Sequence, residues 1–188
     1  MKKHLLPALI LTLIFVIILG GLYPLLIAGI SKFAPGGGKG ETLTVNGKIV
    51  GYANEGQKFT ADKYFWGRPS AVGYNAAGSG GSNKGPSDSA YLKGVEAAVD
   101  TFLVHNPTVT KMDVPSDLVT ASGSGLDPDI SVMGALVQVN RVAKERKLAP
   151  DQVLALVNSH IQKPLLGLFG PEKVNVLKLN IALDEMKK

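Results

Sequence analysis

The 188-residue chain contains no cysteine. Disulfides, thiolate zinc sites, iron–sulfur clusters and thiol catalysis are therefore excluded, and an exported domain built this way must be held by its core or by partners. Histidine is scarce. No two of His4, His105 and His160 stand at chelating spacing, and no Gly-x-Ser-x-Gly elbow supplies a nucleophile. The carboxylates are scattered rather than grouped as in a calcium loop, with Asp127 and Asp129 the nearest approach. Charge of one sign is also lacking: beyond Lys2 and Lys3, 18 basic side chains face 15 acidic ones, a net of +3. That is an ordinary solvated surface without the dense basic cluster that would make nucleic acid a partner. Neither the Gly-x-x-x-x-Gly-Lys-Ser/Thr of a P-loop nor Gly-x-Gly-x-x-Gly occurs. Together these absences argue against an enzyme with its own active site and against a bound metal.

What the chain does have is Leu5–Ile30, 26 residues without one charged side chain. As a helix this run reaches about 39 Å, against a hydrocarbon core about 30 Å thick. Only a helix satisfies every backbone group within one lipid-exposed segment. The expected organisation is a cytoplasmic tip and transmembrane helix over 1–31, with the span at about 5–30, a glycine-rich linker over 32–42, and one mixed domain over 43–188. Lys2, Lys3 and the amino terminus precede the span, which favours a cytoplasmic N-terminus and an extracytoplasmic domain. A cleaved signal peptide shares the basic start, but its apolar region usually runs about 7–15 residues, and no Ala-x-Ala site follows here. Pro24 should kink the helix. Gly21 and Ala28 fall on one face, with Gly20 and Gly29 nearby, so a partner helix is expected against the outer half.

Pro35–Gly40 reads as linker. Asn46-Gly47 between Leu43–Val45 and Lys48–Val50 is a hairpin signal, because both central residues of a type I′ turn need positive φ. Phe59–Asn83 reads as a long, aromatic-studded loop, and loops of that length are usually functional or disordered; Trp66, Arg68 and their neighbours argue against disorder. Ser87 or Asp88 should cap a helix whose apolar face is Tyr91, Val95, Ala98, Val99 and Phe102, ended by Asn106-Pro107. Asp117–Thr120 reads as a short strand, and Asp127-Pro128 as the start of a helix with Met133, Leu136, Val137 and Asn140 on one face and Gln138, Arg141 and Glu145 around the other side. A third helix is expected from Pro150 to about His160, a final strand over Val174–Leu179, and a polar end over Asp184–Lys188. The fold class is α+β.

Two glycine-serine turns, Ser79–Asn83 and Ser122–Asp127, are the remaining features that could carry chemistry. Such turns can hold phosphate through backbone N–H groups at a helix start, but Asp127 would repel an anion there. Two tight turns that need glycine are the simpler reading.

Tyr64–Ala71, Ser79–Asn83, Asp117–Ser131 and Val174–Leu177, in that order behind one N-terminal membrane helix, resemble the family of C subunits of the bacterial Kdp potassium-transporting P-type ATPase. The resemblance covers essentially the whole chain, and the Asp117–Ser131 block is its most specific part. It implies a non-catalytic subunit of a bacterial inner-membrane complex. The implied partners are a channel-like potassium-translocating subunit, a P-type ATP-hydrolysing subunit and a small membrane peptide. No cofactor would be bound by the chain alone; ATP and potassium would come through the complex. The family role of catalytic chaperone, raising the hydrolysing subunit's affinity for ATP, implies a nucleotide contact at Ser122, Ser124, Gly125 and Gln138. The outward topology instead implies a subunit interface, for which Gly21, Pro24, Ala28, Trp66, Arg68, Ser79, Asn83, Asp117 and Asp127 are the candidates. A tethered binding module for a small anion or nucleotide is the alternative function.

Overall fold

The structure is a computed structural model that describes residues 2–186; Met1, the side chain of Lys2, and the last two residues of the expected polar end, Lys187 and Lys188, lie outside the described residues. The chain divides into two compact units, Met1–Thr42 and Leu43–Lys188.

In the first unit, α1 (Lys2–Ile17) passes through a π-helical turn (Ile18–Leu22) into α2 (Tyr23–Ser31). Lys3–Ser31 contains an 18-residue window of mean hydropathy 2.8 and is long and apolar enough to cross a membrane. The disturbance expected from Pro24 takes the form of that π turn, because a residue without an N–H breaks the regular i→i−4 ladder just before it. A Cβ built on Gly20, Gly21 or Gly29 would touch nothing, so the helix surface is open at these positions. The glycine-rich segment curls into a 3₁₀ turn at Pro35–Gly38, where Gly36 and Gly37 take φ of 77° and 61°.

In the second unit, β1 (Thr42–Val45) and β2 (Lys48–Tyr52) form the expected hairpin, with Asn46 and Gly47 at φ 51° and 75°. From Phe59 to Asn83 the only regular piece is a 3₁₀ turn at Ala76–Gly78. Asp88 caps α3 (Ser89–His105) by accepting from the Tyr91 N–H at 3.0 Å, and Phe102 is the buried end of its apolar face. A three-stranded antiparallel sheet follows, ordered β3 (Asp129–Ser131), β5 (Lys173–Asn175), β4 (Ile161–Gln162), with Ile130 opposite Val174 and Val174 opposite Ile161. Helices α4 (Val132–Leu136), α5 (Val139–Arg146), α6 (Pro150–Ser159) and α7 (Val176–Glu185) complete the unit. The core joins Phe65, Phe102, Ile130, Val142, Val153, Val157, Val174, Leu179 and Leu183.

Four local expectations are corrected. Asp117–Thr120 is no strand: Ser116–Leu118 is a 3₁₀ turn, and the Asp117 carboxylate accepts from both the N–H and the hydroxyl of Ser131. Asp127 does not cap a helix. Its segment runs on into β3, and Ser131 is the cap of α4, accepting from the Gly134 N–H at 2.9 Å. The strand expected over Val174–Leu179 stops at Asn175, whose side chain accepts from the Lys178 N–H and starts α7. Finally, the helix face expected over α4 and α5 is only partly right: Leu136 and Val137 pack on the core and Glu145 is exposed, but Met133 and Asn140 are exposed, while Gln138 and Arg141 are buried beside Val139, Val142 and Arg146.

Candidate functional site

The two glycine-serine turns meet. Ser79 Oγ and the Gly80 N–H both donate to the Ser124 carbonyl at 2.8 Å, and the Ser122 N–H donates to the Pro69 carbonyl. Ser70 Oγ donates to the Gly125 carbonyl at 2.7 Å, and the Gly56 N–H to that of Leu126. Within the second turn, Ser122 Oγ accepts from Gly125 N–H and Ser124 Oγ from Leu126 N–H. Gly125 takes φ 68°, and a Cβ there would lie 2.5 Å from Val72 and 2.8 Å from the Gly80 carbonyl. Glycine is thus required by both the backbone angle and the close packing. The Ser122 N–H and the carbonyls of Ser124 and Gly125 lock the two loops together, while the Ser122 and Ser124 hydroxyls accept within their own turn. Asn83 stands exposed beyond them at φ 52°.

Arg68 links this lock to an open groove of about 860 Å³, whose wall includes Asp113, Asp117, Asp127, Asp129, Ser131 and Lys173. Arg68 Nη1 lies 3.1 Å from Asp127 Oδ2, and Asp127 Oδ1 accepts from the Asp129 N–H. Lys173 Nζ is 2.5 Å from Asp129 Oδ2. Five carboxylates, counting Glu172, line the groove against the cations Arg68 and Lys173. Such a concavity concentrates cations and repels anions. It unites three of the residues singled out in the sequence, Arg68, Asp117 and Asp127, and adds Asp113, Asp129 and Glu172.

Tyr74 braces the same corner. Its hydroxyl donates to the Arg68 carbonyl at 2.6 Å, and burial raises its pKa above the usual phenol value. Replacing Tyr74 by phenylalanine should cost about 1 kcal/mol at neutral pH. An acid with a raised folded pKa stabilises the fold below its unfolded value of 10.0 and loses that contribution as pH rises further. The gap between the two proteins in urea titrations should therefore be constant at neutral pH and shrink above pH 10.0.

Gln138 and Trp66 lie elsewhere, inside the domain. Gln138 has no solvent exposure. Its Oε1 accepts from the Trp66 N–H at 2.8 Å and from Arg141 Nη2 at 2.6 Å, and its Nε2 donates to the carbonyls of Trp66 and Gly134. Asn180 treats Phe65 the same way, accepting from its N–H at 2.9 Å and donating to its carbonyl at 3.0 Å. Two side-chain amides thus clasp consecutive loop residues as neighbouring strands would. Arg141, 3% exposed at its side chain, donates to the carbonyls of Asp62 and Tyr64 and to Asn106 Oδ1, and stacks on the Trp66 ring at 4.4 Å. Trp66 also meets Phe102 and His105 edge-on, and His105 Nδ1 lies 2.8 Å from Asp62 Oδ1. Reading the sequence missed Asn180 and Arg141 as structural polar groups. For Asn180 the signal was a polar residue at core spacing in the apolar run of α7; Arg141, in the polar sequence of α5, gave none.

The family model described as "KdpC: K+-transporting ATPase, c chain" matches residues 5–185. A relative in Flavobacterium psychrophilum, named Potassium-transporting ATPase KdpC subunit, is 56% identical over 185 residues, covering 98% of this chain and 100% of its own length. A relative of the same name in Bacteroides fragilis is 52% identical over 188 residues, 98% of each chain. In Caldanaerobacter subterraneus subsp. tengcongensis the figure is 46% over 179 residues, 94% of this chain and 93% of the relative.

Proposed function

From the premise that this chain belongs to the KdpC family of K+-transporting ATPase c chains, we propose that it is a non-catalytic, single-pass subunit that assembles with and stabilises the potassium-translocating and ATP-hydrolysing subunits. Its N-terminus faces the cytoplasm and the domain from Leu43 onward faces outward. The carboxylate-lined groove meets a cationic patch on a partner or collects potassium near the point of uptake. The observation that carries this reading is the division of labour between the two polar regions. The Gln138 amide, the Ser122 N–H and the carbonyls of Ser124 and Gly125 are engaged within the domain, whereas the groove presents an excess of negative charge at the surface. A polyanionic nucleotide is disfavoured against such a wall. Any change in the hydrolysing subunit's affinity for ATP is then transmitted through subunit contacts.

The test is retention of the subunit in the detergent-purified complex. Asp113 and Glu172 are exposed, so Asp113→Asn with Glu172→Gln should leave the domain folded. Retention should weaken about tenfold, equivalent to ~1.4 kcal/mol. Arg68→Ala, which removes an arginine interface candidate together with the ion pair that fixes the Asp127 carboxylate in the groove wall, should strip the subunit too. Unchanged retention in both variants, together with saturable photolabelling of the full chain by an ATP analogue, would replace this reading with nucleotide binding.

A further inference from the structure

Between β4 and β5 the chain runs Lys163-Pro-Leu-Leu-Gly-Leu-Phe-Gly-Pro-Glu-Lys173, and its tip is the most apolar exposed feature of the second unit. Leu165, Leu166, Leu168 and Phe169 are 70%, 81%, 80% and 64% exposed. Isolated exposed apolar residues are ordinary, but four within five positions mark a binding surface. The tip is also built: Leu165 and Phe169 form a β-bridge, and Leu166 and Gly167 at φ 56° and 72° close a tight turn that turns the side chains outward.

We propose that this tip is a lipid-inserting wedge, and that its ligand is the interfacial region of the bilayer. Three observations favour lipid over a protein partner. First, the backbone is prepared to leave water. The N–H groups of Leu165, Gly167, Leu168 and Phe169 all donate within the loop, at 3.0, 2.9, 3.1 and 3.0 Å, four of the five in Leu165–Phe169. A lipid environment demands such internal satisfaction, whereas a protein partner could supply acceptors itself. Second, the tip is leucine and phenylalanine with no Arg, Tyr or Trp, and leucine is under-represented where protein partners bind tightly. Lys163, exposed at its foot, suits a headgroup layer. Third, the chain carries its own bilayer anchor: the segment between α2 and β1 has ten residues, which fully extended span at most about 35 Å. The proposal adds a second membrane contact to the subunit and holds whichever partner the groove takes.

Because the chain has no cysteine, a single L168C variant can carry an environment-sensitive NBD label on the full chain. This is reconstituted in phosphatidylethanolamine/phosphatidylglycerol vesicles, with N158C at an exposed position of α6 as the reference. The expected result is blue-shifted emission at 168 that is quenched by lipids bearing a doxyl group near the glycerol, with neither effect at 158. Adding Leu166→Ser and Phe169→Ser, both exposed and outside the core, should return the label to an aqueous spectrum. Aqueous emission at 168 in vesicles would overturn the proposal. Emission that is blue-shifted only in the assembled complex, without quenching by doxyl lipid, would overturn it as well and assign the tip to a protein partner.

Discussion

Replacing Gln138 by leucine is expected to destabilise the domain by about 4 kcal/mol and lower its melting temperature by roughly 10 °C. The shape is nearly conserved, so the effect isolates the amide. Its loss strands the Trp66 N–H, removes one donor from the Trp66 carbonyl, and leaves Arg141 Nη2 without its 2.6 Å acceptor. Each buried group left unsatisfied costs about 1–3 kcal/mol. Gln138→Glu keeps the acceptor for the Trp66 N–H and Arg141 but sets an oxygen against two carbonyls, so roughly half the loss should remain. Thermal unfolding of the full chain in detergent, followed by the single tryptophan, measures both. A direct nucleotide contact at Gln138 would give the reverse pattern, an unchanged melting temperature with weakened binding of an ATP analogue.

Arg141→Met should be at least as damaging, again about 4 kcal/mol, because a buried charge network loses its centre. Methionine replaces the aliphatic stem but none of the donors to Asn106, Asp62, Tyr64 and Gln138. It also removes the cation stacked 4.4 Å from the Trp66 ring, so tryptophan emission should shift to the red as Asp62–Trp66 loosens. Burial pulls Arg141 down to about 10, while Asp62 and Glu145 push it back up. The guanidinium is therefore charged in both folded and unfolded chains at neutral pH. A base whose folded pKa is depressed alters the pH dependence only above that folded value, where the folded form releases its proton first and stability would rise with pH. The difference between Arg141→Met and the natural chain should thus be flat from about pH 5 to about pH 9 in denaturant titrations. A difference that grows across that range would count against this account of Arg141.

Both effects have one cause. The stretch Asp62–Trp66 puts Phe65 at the centre of the core without belonging to any strand or helix. Buried backbone must find partners, and here side chains supply them: Gln138, Asn180, Arg141, and Arg146, which donates to the Lys63 carbonyl at 2.7 Å. The aromatic residues Phe65 and Trp66 of this loop belong to the core or pack against it.

Read alone, the sequence determined what rests on local chemistry. The charge-free run read as a helix long and apolar enough to cross a membrane, Asn46-Gly47 signalled the hairpin, Ser87 or Asp88 was expected to cap α3, and Pro150 opened α6. Each depends on a few adjacent residues and their backbone preferences. The family was legible for the same reason, since Asp117–Ser131 is a contiguous block. Periodicity failed where polar side chains were needed inside. It placed Gln138 and Arg141 outward because it cannot know that an irregular loop distant in sequence will bring unsatisfied peptide groups against α5. It read Asp127 as a cap and Val174–Leu179 as one strand because pairing partners are absent from a local window; the Arg68–Asp127 pair and the β3–β5 register exist only after folding. The acid groove and the interlocked glycine-serine turns were likewise decided by tertiary structure, because long-range packing alone chooses which loops share a surface.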